Sequence, residues 1–465
     1  MADAAFKIAW EWEAAPSVRA AEHRATWARM EIRIGDEWAT LVEDRDSGSA
    51  RHSLYCPLYP LAEWIAYNWW FLQSDARPSG VLARLTDIGA GDVRNLPREQ
   101  RDRHSIRASG DGFAWPDLWI VPDGNSTRLV WQGDLAAAPD WPIRFLSSGE
   151  RRVDSEEIQL ELGRLVSAVL TRLAEQGVTG TALEKEWAEI REMDADEAEY
   201  AKAAARLGLD PYSMPEEYES TILRAADSLP AQVFGDFLDA ADPALMRESL
   251  DWILRIRADG ERAVPKRAKH KNTVPFEGLA RMEQAYGNLT DAVRQTRGEL
   301  DVQVKGRRRL PWQLGRMQAL HARSFVEASL LAKFDVQGYV SSATSSVSDR
   351  ALHALGRTDQ RGKPVAVLGR RSRATAARFT LARCLWHFIW DDDPYFLVTS
   401  AYTDRQKIER AFAAELLAPA EGIAELLPGE PQEASQEELD EVAQHYGVSS
   451  MVVSHQVRNQ LMVVS

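Results

Sequence analysis

Three chemistry-bearing side chains lie close together in one helix-forming run, Arg378-Phe379-Thr380-Leu381-Ala382-Arg383-Cys384-Leu385-Trp386-His387-Phe388-Ile389-Trp390. Arg383 and His387 are four apart and share a helix face, and Cys384, three before His387, can also face it. A thiol beside an imidazole is the raw material of a nucleophile, whereas a lone cysteine on an apolar helix ordinarily belongs to the core. A second group is electrostatic. Lys266, Arg267, Lys269 and Lys271, then Lys305, Arg307, Arg308 and Arg309, then Arg370, Arg371 and Arg373 form three basic clusters that folding can merge into one patch. Such a patch would neutralise phosphates, so DNA or RNA is the partner expected through residues 261–380. The competing reading is a solvated linker whose charges pair with the acidic helices before it. Other site types are missing: no GxxxxGK[ST] loop, no strand-linked GxGxxG, no GxSxG and no paired CxxC occurs. The histidines outside this run are scattered singly, and Asp391-Asp392-Asp393 reads as an acidic helix-ending turn rather than as a site for a hard cation.

These groups must be positioned by a long chain. Its 465 residues suggest two to four domains. The net charge of −14 hides a sharp internal division. Residues 1–150 are net −6 and 151–260 net −12, while 261–380 carry 23 basic against 10 acidic side chains, net +13, and 381–465 return to −9. Overall acidity therefore does not exclude a nucleic-acid partner. No apolar stretch approaches the ~20 residues that span a bilayer, so no membrane partner is expected. The N-terminus lacks a basic n-region followed by an apolar core, so no secretory signal is expected. Two cysteines exclude a disulfide scaffold and fit a reducing cytosol, hence a cytoplasmic protein.

The expected fold is multidomain α+β. Residues 1–150 read as a Trp-rich β/α domain, with eleven of the sixteen tryptophans before residue 142. Phe6, Ile8, Trp10 and Trp12 alternate with polar or small residues as in a half-buried strand. Hairpins are expected at Gly35-Asp36 and at Asp123-Gly124, and a helix after Pro60. The aromatic residues serve core packing or, in the alternative, a stacking platform for bases. Residues 151–260 read as an acidic helical domain and 261–310 as a basic connector.

From Val365 the order is a short strand, a basic turn, the helix containing Arg383 and His387, an acidic break, and a helix ending Phe412-Ala413-Ala414-Glu415-Leu416-Leu417-Ala418-Pro419. This arrangement resembles the ImmA/IrrE family of zinc metallopeptidases, in which a helix of the form RFTLAHELGHLLLH precedes one ending in FAAELLMP. The resemblance covers roughly 310–465, about a third of the chain. It implies a metallopeptidase-like domain at 311–430 and a helix-turn-helix-like tail at 431–465, built on Leu439–Tyr446, Gly447 and Val452–Val457. That tail either completes the core or contacts bases.

The family's zinc helix needs two histidines at i and i+4 and a Glu at i+1 as general base. Here Arg383 stands at the first position and Cys384 at the second, and only His387 remains. A guanidinium stays protonated and cannot ligate a metal. Glu409 is the nearest counterpart of the family's third, acidic ligand. The substitution suggests an ion pair from Arg383 to Glu409, with His387 stacked beside or bonded to the same carboxylate. The degenerate site Arg383, Cys384, His387 and Glu409 is thus expected to hold no metal, need no cofactor and catalyse no peptide cleavage. The resemblance implies a role in bacterial stress response, mobile-element control or phage defence, where such proteins cleave or control a DNA-binding repressor, and the degenerate site makes this chain a catalytically inactive regulator there. It would act by binding a partner protein (a repressor or defence component), nucleic acid, or both. The alternatives are a divergent metallopeptidase, a site rebuilt from Cys384, His387 and a carboxylate, or a nucleic-acid-acting enzyme whose site lies in the N-terminal region.

Overall fold

Period-two alternation builds the first sheet. Strand β1 (Phe6–Trp12) pairs antiparallel with β2 (Trp27–Ile34), which takes β3 (Leu54–Pro57) on its other side. Ala28, Met30, Ile32 and Ile34 of β2 are all buried, and their odd-numbered neighbours are half-exposed. The computed structural model describes residues 5–15, 17–80, 82, 96–124, 126–134, 142–261, 311–326, 330–358, 364–390 and 395–461. It falls into two units, Met1–Met214 and Pro215–Ser465, so the helices of the acidic stretch 151–260 are shared between them. No helix among the described residues is long and apolar enough to cross a membrane.

In the first unit Gly35, at φ +60°, turns β2 into the short strand Glu37–Trp38. A second sheet sets β4 (Asp117–Asp123) against β5 (Ser126–Gln132) and β5 against β6 (Gly149–Asp154), with Gly124 at φ +68° in the hairpin turn. Helix α1 (Tyr59–Tyr67) carries Pro60 in its first turn, where the missing N–H costs nothing. Helix α2 (Ser155–Glu175) is capped by Asp154, which accepts the Glu156 N–H. It also closes the β1 edge: Glu157 accepts the Phe6 N–H at 3.0 Å, Glu161 accepts the Ile8 N–H at 2.6 Å, and Arg164 donates to the Ile8 carbonyl. Those backbone groups would otherwise invite pairing with another strand. Trp64, Trp70, Trp115, Trp119 and Trp131 are buried, while Trp10 and Trp12 are half-buried beneath Arg164 and Arg172 at 4.3 and 5.7 Å.

The second unit contains helix α3 (Ala231–Ala240) and a four-stranded sheet of β7 (Ser341–Thr344), β8 (Leu352–Thr358), β9 (Pro364–Leu368) and β10 (Tyr395–Thr399). The spatial order is β7-β9-β8-β10, with β7 parallel to β9 and the other pairs antiparallel. Helices α4 (Ala374–Trp390) and α5 (Asp404–Leu417) share one apolar core with Ala354, Ala366, Phe396 and Val398 of the sheet. The helix Pro311–Val326 crosses α5 so closely that a Cβ on Gly315 would lie 2.2 Å from the Ile408 carbonyl oxygen. Only glycine allows that approach.

The described residues close with α6 (Gln436–Tyr446), Gly447 at φ +62°, α7 (Ser450–Gln456) and a last helical turn, Val457–Leu461. Val442, Ala443, Tyr446, Val448, Val453 and Val457 join the same core as α4 and α5. Arg378 donates to the carbonyls of Tyr446, Gly447 and Phe334, and Gln456 is buried, donating to Glu415 and to the Ala418 carbonyl.

Candidate functional site

Helix α4 is buried on nearly every side: each residue from Leu381 to His387 is inside. A helix so placed is a central element, and any charged group on it needs a partner there. Arg383 and His387 point from it toward α5, whose first turn is set by a capping box between Thr403 and Gln406. That cap fixes the register of α5 and brings Glu409, fully buried, between the two.

Arg383 donates from Nε to Glu409 Oε1 at 2.9 Å, and its Nη2 reaches the same oxygen. Nη2 also donates to the Thr399 carbonyl at 2.6 Å, and Nη1 lies 3.0 Å from His353 Nδ1. A guanidinium offers only donors, so His353 accepts through Nδ1 and is the neutral Nε2–H tautomer. His387 Nε2 bonds the other carboxylate oxygen, Oε2, and as Glu409 is ionised the imidazole is the donor. The His387 ring lies flat on Phe396, centroids 4.2 Å apart, with Trp386 edge-on behind it.

Burial pushes the Glu409 carboxyl up, but Arg383 and then His387 outweigh it and hold the group at about 2. Burial, followed by the Arg383 charge, takes His353 down to about 3, so it stays neutral. Cys384 lies in the apolar core, and burial drives its thiol far above the ordinary range. A thiol held protonated is no nucleophile. Around this centre runs a polar shell. Gln406 donates to Thr399 Oγ1 at 2.8 Å and to Asp236 Oδ1 at 3.4 Å, and Arg405 is ion-paired with Asp236 Oδ2. Arg410 donates to the carbonyls of Thr399 and Ala401. Burial raises the Asp236 carboxyl to about 7 against the pull of Arg405.

A zinc ion does not fit this donor set. The position facing Glu409 and one helical turn from His387 is filled by a permanent cation with no lone pair, and both Glu409 oxygens are engaged by Arg383 and His387. Among the described residues no cluster of three His, Cys, Asp or Glu is arranged to hold a metal.

Arg383, His387 and Glu409 thus meet at one carboxylate, while Cys384 of the same helix turns into the core. Arg370, Arg371 and Arg373 are exposed in the turn before α4. Lys266, Arg267, Lys269, Lys271, Lys305, Arg307, Arg308 and Arg309 lie outside the described residues. Spacing along one helix gave no access to His353, Thr399 or Asp236, which arrive from two strands and from a helix far upstream. For Gln406 a signal existed: Thr403-x-x-Gln406 is a capping pattern, which places residue 406 at the start of α5.

Residues 344–458 match the family model described as Peptidase_M78: IrrE N-terminal-like domain. Neither the comparison with curated proteins nor that with solved structures returned a match.

Proposed function

We propose that the IrrE-like domain of this chain is a non-catalytic binding module, a pseudopeptidase in which an internal ion pair replaces the metal centre. The observation that carries this reading is the Arg383 guanidinium bonded at once to Glu409, the Thr399 carbonyl and His353. A charge buried with three acceptors holds the helices together as a metal would, without supplying a Lewis acid or an activated water. The protein then acts as a cytoplasmic regulator in bacterial stress, mobile-element control or phage defence, through a partner protein, nucleic acid, or both.

Support for nucleic acid comes from the +13 segment 261–380 and from the exposed Arg370, Arg371 and Arg373. The tail is assigned to packing, because Gln456 faces inward and Val453 and Val457 are core residues. Two measurements on the full chain test the proposal. Metal analysis of the purified protein should find no stoichiometric zinc, and proteolysis of unfolded substrate proteins should be undetectable with or without chelator; one tightly held equivalent of zinc overturns the pseudopeptidase reading. Binding to DNA and RNA should weaken steeply with added salt, as phosphate contacts do, and no binding at low salt removes the nucleic-acid arm.

A further inference from the structure

The Arg383 centre is gripped from outside by one stretch of the chain, residues 231–249. Helix α3 packs against β10, the strand that ends at Thr399. Its Asp236, only 3% exposed, pairs with Arg405 and accepts from Gln406, whose amide also holds Thr399 Oγ1. Thr399 in turn gives its carbonyl to Arg383. A second buried carboxylate works at the other end of the segment. Asp349 accepts the Asp242 N–H at 3.0 Å and the Ser249 hydroxyl at 3.1 Å, while its other oxygen accepts the Ala351 N–H at 2.9 Å. Ala351 lies two residues before His353, and its carbonyl accepts the N–H of Ser400, next to Thr399. The two groups that hold Arg383 besides Glu409 are therefore each tied, through one carboxylate, to the same segment.

We infer that residues 231–249 are a control element for the Arg383 site: seated, they fix Thr399 and His353 and so clamp Arg383, and displaced, they loosen both holds together. The inference rests on the reading of that site given above only for which site is controlled. The network consists of polar contacts between separate elements, and a two-state element of that kind is what coupling between sites requires. Seating also takes up a proton. Facing Asp236 are Arg405 and Glu409 from α5, His387 from α4, and Asp239 from its own helix, and burial leaves its carboxyl half-protonated near 7. A carboxyl released to solvent would give that proton up, so acid favours the seated segment and a pH above 7 loosens it.

Hydrogen exchange on the full chain tests this, with rates corrected for the intrinsic pH dependence. In the unaltered protein, exchange in 231–240, in 395–399 and in the first turn of α5 should rise together severalfold between pH 6 and pH 8, while α6 stays unchanged. Asp236→Asn, neutral and isosteric, should abolish that pH response. A rise confined to 231–240, a uniform rise across the unit, or no pH response in the unaltered protein overturns the inference. Metal and proteolysis measurements decide the pseudopeptidase reading separately, since exchange reports coupling whether or not the site is catalytically silent.

Discussion

Replacing Arg383 by Met keeps the bulk of the side chain and removes its charge. Four hydrogen bonds to Glu409, Thr399 and His353 disappear, and the Glu409 carboxylate is left 0% exposed with His387 as its remaining partner. Breaking one side of a buried pair costs about 3–5 kcal/mol, because the stranded charge has no water to return to. Glu409→Gln alone should cost a similar amount by stranding Arg383. The double substitution removes both charges, so it should cost no more than either single change and far less than their sum. Arg383→Lys keeps the charge but loses the fork, and should fall between the single Met variant and the unaltered protein. As the chain has two units, a single unfolding curve is not a two-state measurement. Exchange of amides in Ala374–Trp390 under increasing urea reports this unit directly. A cost for Arg383→Met below about 1 kcal/mol, in the range of an exposed pair, would refute the reasoning, as would strict additivity in the double variant.

Acid should expose two of the site's groups in turn. His353 stays neutral down to about 3, so its contribution is complete above 6.5 and drains as pH falls toward 3; Glu409, held near 2, contributes above 4.5 and loses that as pH falls through 2. Asp236 has the opposite sign, with stability greatest below 3.8 and lost as pH rises through 7, so Asp236→Asn should remove that alkaline loss and steepen the acid limb, both read by amide exchange in Ala231–Ala240 under increasing urea. Cys384 and Cys56 are both buried, with burial taking Cys56 to about 12 and Cys384 higher still, so neither should alkylate with iodoacetamide at pH 8 until the chain is unfolded. Gly315→Ala should cost about 1–3 kcal/mol, read by amide exchange in Asp404–Leu417 under increasing urea, because its methyl would meet the Ile408 carbonyl oxygen at 2.2 Å and the two helices must part.

Much of the local architecture could be read in advance because it rests on short-range regularity. The β1 and β2 alternation, the Gly35 and Gly124 turns and the Pro60 helix start each depend on a few adjacent residues. The same holds for Arg383 and His387, one helical turn apart, and the second helix with Glu409 follows after a short break. His353 and Thr399 are different. Each is unremarkable in its own strand, and only the β8–β10 pairing, with Leu352 opposite Thr399, brings them to one end of the sheet. Asp236 is further still, 147 positions from Arg383, in a stretch that reads only as an acidic helical domain. Long-range register decided these placements, and periodicity carries no information about it.

The shell also explains why an arginine is tolerable at a position where the family's pattern has a histidine. A lone guanidinium in that core would be ruinous, since it cannot shed its proton and an unpaired buried charge is strongly destabilising. What makes it stable is a set of acceptors contributed by three elements: a carboxylate from α5, a carbonyl from the end of β10 and an imidazole from β8. That set could not have been assembled by changing residue 383 alone. His353 must remain unprotonated, which its burial and then the cation enforce by holding it near 3, and Thr399 must present its carbonyl inward, which Gln406 and Arg410 enforce from α5. The arginine is therefore built into the architecture around it, so restoring a histidine there would strand those acceptors. Arg383→His with Cys384→Glu, which rebuilds the metal-binding pattern on paper, should lose stability before it gains zinc, and metal analysis beside urea unfolding would show which comes first.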